Sequence, residues 1–203
     1  SGIAVTELNL GGGMGIAYTG ADDPPQVDDM ATQLTAIVTR ECDLAGVPVP
    51  RLAVEPGRAI VGSAGITVYE VGTVKPVDLG GRERLYVSVD GGMSDNIRTA
   101  LYGADYTVVL ANRESTAEPV VARVVGKHCE SGDVIVRDAW LPGDVCAGDL
   151  LAVAATGAYC RSMASNYNYL PRPAVVSADA GQCRVVLRRE TLDDLLAADA
   201  GLD

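Results

Sequence analysis

The sequence predicts an α+β chain that is mainly β: a short parallel βαβ piece first, then an antiparallel sandwich or barrel. Two short apolar segments flank one helix-periodic stretch within residues 1–63. Short β-rich stretches separated by turn residues then fill residues 64–203. The composition is 48% hydrophobic with no Phe and one Trp, so the core must come from Val, Leu, Ile and Ala, with Tyr at its margins.

The elements follow in order. Residues 5–10 are apolar and run into glycines, which reads as a buried strand. Met30, Leu34, Ile37, Val38 and Cys42 then recur at helical spacing, Asp28 and Asp29 suit a helix start, and Gly46 and Pro48 end it. Residues 52–54 form a second buried strand, so the start is a βαβ unit with a parallel sheet. Beyond it, residues 66–75, 84–90, 106–110, 120–125, 133–139, 150–155, 174–180 and 182–189 read as strands. Their turns are marked by Gly80-Gly81, Glu118-Pro119, Pro142-Gly143-Asp144 and Ala180-Gly181. Thr191 caps a terminal helix over 191–198, with Asp193 and Asp194 in its first turn.

Charge narrows the function classes. Twenty-seven acidic against sixteen basic residues leave a net charge of −11, the wrong sign for nucleic acid or an anionic membrane. No apolar run reaches the length of a bilayer span, and no basic segment leads into an apolar one at the start. The expectation is a cytoplasmic protein. The five cysteines, odd in number and without a Cys-x-x-Cys pair, fit free thiols. His128 is the only histidine and no Cys-x-x-Cys pair accompanies it, so no metal site is expected.

Five motifs carry candidate chemistry. Gly11-Gly12-Gly13-Met14-Gly15 follows a strand and reads either as a tight βα turn or as a backbone cradle for phosphate. Glu55-Pro56-Gly57-Arg58 follows another strand. It reads as a buried ion pair, or as a carboxylate for a pyridinium nitrogen beside an arginine for phosphate or carboxylate. Residues 90–102 are a polar, glycine-rich loop in which Arg98 and Tyr102, four apart, share one face of a helical turn. His128-Cys129-Glu130-Ser131-Gly132-Asp133 offers a thiol beside a carboxylate, as nucleophile, acid or inert pair. Adjacent residues of a strand face opposite ways, which argues against a Cys129–His128 couple. Tyr159 follows an apolar strand and reads as a core-edge residue or a ligand contact. Tyr167 and Tyr169 read as structural.

In this order and with these gaps, the motifs resemble the second half of the diaminopimelate decarboxylases, pyridoxal-phosphate (PLP) enzymes of lysine biosynthesis. The match is collinear from about Leu8 to Leu196. The resemblance implies a fold of an N-terminal (β/α)8 PLP barrel followed by a β-sandwich domain. Residues 1–63 are then its last two βα units and 64–203 the β domain. It implies decarboxylation of meso-2,6-diaminopimelate to L-lysine in a homodimer whose active sites are shared across the interface. Gly13, Glu55, Pro56, Gly57, Arg58 and Tyr159 are implied to contact the cofactor. Arg58, Arg98, Tyr102, Glu130 and Tyr159 are implied to contact the substrate, and Cys129 to donate a proton in the neighbouring subunit's site. The family's cofactor lysine and ring-stacking histidine precede the matched stretch, and neither Lys75 nor Lys127 stands at the lysine position. These residues alone are therefore expected to be inactive. Ornithine- and arginine-type decarboxylases share the fold, but their substrates lack the distal carboxylate, and a site with Arg98 plus Glu130, able to bind a carboxylate and an ammonium, favours diaminopimelate. A rival from another class is a non-catalytic β domain that dimerises or binds.

Overall fold

The computed structural model describes residues 4–201. Strand β1 (Glu7–Asn9) pairs in parallel with β2 (Arg51–Ala53), with Leu8 opposite Leu52, and helix α1 (Val27–Ala45) connects them. Asp28 and Asp29 lie in the first turn of α1, where the helix dipole favours carboxylates, and Gly46 closes it in the left-handed conformation. The predicted βαβ unit is present, but its burial differs from expectation. Every residue of β1 is exposed, and no residue of α1 is buried. The physical reason is topological: β1 and β2 form a sheet of their own, with no further strand to cover them among the described residues.

Helix α2 (Gly57–Val61) begins inside the Glu55-Pro56-Gly57-Arg58 motif, immediately after β2. A helix this short has no readable apolar period, so the sequence does not announce it.

The main sheet holds β3 (Thr67–Asp78), β4 (Glu83–Val89), β5 (Val108–Leu110), β6 (Pro119–Val125), β7 (Val134–Pro142) and β8 (Leu150–Val153), with helix α3 (Arg98–Tyr102) between β4 and β5. The strand order is β5-β8-β3-β4-β6-β7. The end strands β5 and β7 lie against each other, so the sheet curls into a nearly closed barrel. Its pairings are antiparallel except β4 with β6, which run parallel. A parallel pair needs a crossover, here the stretch carrying α3 and β5.

Alternation along β7 sends Ile135, Ala139 and Leu141 inward, while Trp140 is exposed. With Val87, Val124, Leu151 and Val153 they form the aliphatic core that the composition requires. Two tyrosines correct the expectation that Tyr stays at the margins: Tyr69 and Tyr106 are each 3% exposed. Both hydroxyls have partners inside, Asp95 for Tyr69 and Arg98 for Tyr106, which removes the cost of burying them.

Strands β9 (Val175–Asp179) and β10 (Gln182–Leu187) form a separate hairpin, and helix α4 (Leu192–Leu196) follows. Thr191 and Asp194 make a reciprocal capping box at its start. No helix among the described residues is long and apolar enough to cross a membrane.

Candidate functional site

A cleft of about 680 Å³ opens where the N-terminal piece meets the loop after β8. Its first wall is the glycine turn after β1. The Asn9 side chain organises it, accepting from the Gly11 amide at 2.8 Å and donating to Glu55 Oε1 at 2.7 Å. The Glu55 amide donates to the Gly11 carbonyl at 2.8 Å. Only glycine fits at position 12, because a Cβ there would sit 2.5 Å from the Glu55 carbonyl oxygen.

Arg58 locks the same turn from α2. Its Nε donates to the Met14 carbonyl at 3.0 Å and its Nη2 to the Gly13 carbonyl at 3.1 Å. The amides of Gly12 and Gly13 donate to no group among the described residues. Glu55 and Arg58 do not pair with each other; each is spent on the glycine turn or its neighbour. The ion-pair reading of this motif is therefore not the arrangement found.

The second wall is the loop that carries Tyr159. It is fastened by Thr156 N to Gly65 O at 2.9 Å and Gly157 N to Gly62 O at 3.0 Å. A Cβ at Gly157 would lie 1.9 Å from the Val61 carbonyl oxygen, so the approach demands glycine. Ala155 and Tyr159 both adopt positive φ, 57° and 70°. Non-glycine residues hold that conformation only where surrounding contacts impose it, and such strain gathers at functional sites.

Gly13, Glu55, Gly57, Arg58 and Tyr159 all line the cleft, and Pro56 precedes α2 without lining it. Two arginines that no motif flagged, Arg161 and Arg172, line it as well. Arg172 is held by Glu190 at 2.7 Å and by the Ala164 carbonyl at 3.2 Å. The Glu190 carboxyl is pulled down to about 2, first by the Arg172 amide and then by the guanidinium and Asn166. Arg161 Nε is buried without a partner. The cleft thus combines open backbone donors, several guanidinium groups and one carboxylate, a donor set for an anion.

Arg98 sits beside this cleft rather than in it. Its guanidinium carbon lies 4.8 Å from the Tyr18 ring centre, 5.7 Å from Tyr106 and 5.4 Å from Tyr159. It donates to the Tyr106 hydroxyl at 2.6 Å. Cation–π attraction and this bond hold an arginine that is only 8% exposed. Arg98 and Tyr159 are therefore brought together. Tyr102, at the far end of α3, is 65% exposed and takes no part in that cluster. Tyr18, one tyrosine in a polar loop, carries no signal in the sequence. It anchors the N-terminal piece, its carbonyl accepting from Thr107 N at 3.0 Å and Thr107 Oγ1 at 2.9 Å.

Cys129 and Glu130 are exposed and lie outside the cleft lining. They occupy a bend after β6, not a strand, yet His128 still points inward and Cys129 outward. Asp133 builds this bend. Its carboxylate, 3% exposed, accepts from the His128 amide at 2.7 Å and from the Met93 amide at 2.6 Å. One buried side chain thus clasps the Asp90–Asn96 loop to the Cys129–Glu130 bend. The Glu130 carboxylate accepts from the Tyr167 hydroxyl. No group of three or more His, Cys, Asp or Glu among the described residues is placed to hold a metal ion.

Comparison with known proteins fits this arrangement. Residues 17–157 match the family described as pyridoxal-dependent decarboxylase, C-terminal sheet domain. A diaminopimelate decarboxylase of Mycobacterium tuberculosis (strain H37Rv) is 61% identical over 96% of this chain and 44% of its own length. That of Corynebacterium efficiens is 53% identical over 98% of this chain and 43% of its own. A solved diaminopimelate decarboxylase from M. jannaschii, in co-complex with L-lysine, superposes with a TM-score of 0.86 at 35% identity, covering 98% of this chain and 44% of that one. The chain thus spans less than half the length of these relatives. By its sheet, its cleft and these matches, the chain belongs to the pyridoxal-dependent decarboxylases, as the part that contains their C-terminal sheet domain.

Proposed function

We propose that these residues are the C-terminal part of a diaminopimelate decarboxylase that forms L-lysine and CO₂ from meso-diaminopimelate. Residues 1–63 complete a (β/α)8 barrel and 64–203 are the β domain. The observation that carries the reading is the cleft where the glycine turn, Glu55, Arg58 and Tyr159 converge. Identity of 61% to a relative of that name supports the substrate. The exposed faces of β1 and α1 support the barrel assignment, since such faces are covered by neighbouring units in a complete barrel.

The cleft fits pyridoxal phosphate. The free amides of Gly12 and Gly13, with Arg58 behind their turn, suit the phosphate, and the Glu55 carboxylate suits the ring nitrogen. Bound there, the cofactor supplies an electron sink for the bond broken at the substrate's α-carbon.

The remaining work falls to the chain's own side chains. Glu55, oriented by Asn9, holds a proton at the ring nitrogen. Tyr159 closes the cleft and carries Arg98 against its ring. Arg58, which lines the cleft and keeps Nη1 beyond its two bonds to the glycine turn, orients a substrate carboxylate. Arg98, behind Tyr159, and Tyr102, outside the lining, are assigned to the substrate only by the family resemblance. Cys129 and Glu130, exposed on their bend, serve the site of a second subunit in a cytoplasmic homodimer. Cys129 Sγ delivers a proton to the carbon that has lost CO₂, and Glu130 receives the substrate's distal ammonium. The cofactor lysine comes from the half of the enzyme that these residues do not include, so they are inactive alone.

The test uses the complete enzyme, with lysine formation from meso-diaminopimelate as the assay. Cys129→Ala is expected to lower kcat by roughly 10²-fold or more, the scale of a lost general acid, with cofactor absorbance retained. Mixed with a variant lacking the cofactor lysine, it should regain activity through hybrid dimers. Full activity in Cys129→Ala, or no rescue on mixing, overturns the shared-site assignment. A complete enzyme that releases no lysine overturns the proposed reaction.

A further inference from the structure

We propose that Tyr167 is a positioning residue for Glu130, its hydroxyl fixing the carboxylate that receives the far end of the substrate. The inference rests on the assignment of Glu130 to that distal end.

Glu130 stands on an exposed bend, where a free glutamate samples many rotamers and must lose them each time a ligand binds. Its side chain has one hydrogen-bond partner among the described residues, the Tyr167 hydroxyl, which donates to Oε1. Oε2 is left for a ligand ammonium. The bond draws on a real donor: the carboxylate raises the Tyr167 phenol above its ordinary value, with burial adding to the effect.

Tyr167 is itself held on two sides. Its ring meets His128 edge-on, with centroids 5.4 Å apart and planes at 74°. The His128 side chain is fully enclosed and neither ring nitrogen has a hydrogen-bond partner, so its contribution here is shape. Asp133 anchors the His128 amide from behind. On the other side, Tyr167 opens a 3-10 turn, Tyr167–Tyr169, whose preceding residue Asn166 donates to Glu190 at 2.7 Å and to the Leu170 carbonyl at 3.1 Å. The Ser165 amide donates to the Ser94 carbonyl at 2.8 Å. Glu190 also grips Arg172 of the cofactor cleft. Within the chain, Glu190 and Asn166 thus join Arg172 of the cleft to the turn that carries Tyr167, and Tyr167 is the group that contacts Glu130.

A residue that pre-orients a carboxylate acts on binding rather than on the bond-breaking step. Tyr167→Phe keeps the ring against His128 and removes only the hydroxyl. In the complete enzyme it is expected to raise KM for meso-diaminopimelate about tenfold, the scale of one hydrogen bond to a charged group, with kcat within about twofold. The calorimetric Kd for L-lysine should weaken in parallel. In a double-mutant cycle, Glu130→Gln with Tyr167→Phe should bind no more weakly than Glu130→Gln alone, because the hydroxyl acts through Glu130. An active parent whose Tyr167→Phe variant keeps its KM and Kd, or whose two substitutions add independently, overturns the positioning role and leaves the reaction standing. A parent that turns over no diaminopimelate overturns the assignment of Glu130, and the inference with it.

Discussion

The N-terminal piece and the barrel-like sheet use apolar side chains in opposite ways. In the sheet, Val124, Leu141 and Leu151 are fully enclosed. In α1 and α2 nothing is buried, and Ile37, Leu44 and Ile60 are 48%, 77% and 68% exposed. The sheet therefore holds itself together, whereas the N-terminal piece is held by a few fastenings to it. These include Thr107 to Tyr18 and Gly157 to Gly62. The cleft lies along those fastenings. A ligand bound there touches both regions, because the Arg58 and Tyr159 walls belong to opposite sides, so its binding favours their docking.

The contrast is broken most directly by truncating one leucine in each region. Leu151→Ala is expected to cost about 2–5 kcal/mol in denaturant unfolding, since it opens a cavity in a closed core. Leu44→Ala, measured like Leu151→Ala in a protein of these residues alone, should change stability by no more than about 0.5 kcal/mol. Similar costs at both sites would erase the distinction between the regions.

A smaller effect is expected at the junction. Gly157→Ala drives a Cβ into the Val61 carbonyl, a backbone atom that cannot step aside alone. The expected loss is about 1–3 kcal/mol of docking. In the complete enzyme it should appear mainly as weaker cofactor binding by fluorescence titration. Unimpaired cofactor binding would show that the cleft does not depend on this approach.

The smallest effect is a pH dependence at Glu190. Its folded value, about 2 against an ordinary 4.5, is depressed by the Arg172 amide first. The stabilisation is thus complete above the ordinary value and disappears as pH falls through 4.5 toward about 2. Unfolding followed over that window should fall less steeply in Glu190→Gln than in the parent. Parallel pH profiles would remove Glu190 as a contributor.

Much of this was legible from residues alone wherever the controlling interaction was local. Helix α1 starts and stops where Asp28, Asp29 and Gly46 say it should, and the Thr191 cap is present with its reciprocal Asp194 bond. The strands of the main sheet fall on the predicted stretches, within a few residues at their ends. The candidate residues Gly13, Glu55, Gly57, Arg58 and Tyr159 meet in one cleft although they are far apart in the chain. Helix α2 was not legible, being too short for a period, and neither was the parallel register of β4 with β6. Arg161 and Arg172 carried no motif, so only the cleft itself reveals them.

By itself the sequence determined the order of elements, the aliphatic core and the family, because periodicity, capping and motif spacing are properties of neighbours along the chain. Only the tertiary structure decided that Tyr69 and Tyr106 enter the core, that Asp133 clasps two motif loops, and that Tyr167 holds Glu130. Each of these depends on a hydrogen-bond partner distant in sequence. A polar side chain is stable inside, or fixed outside, only when folding delivers that partner.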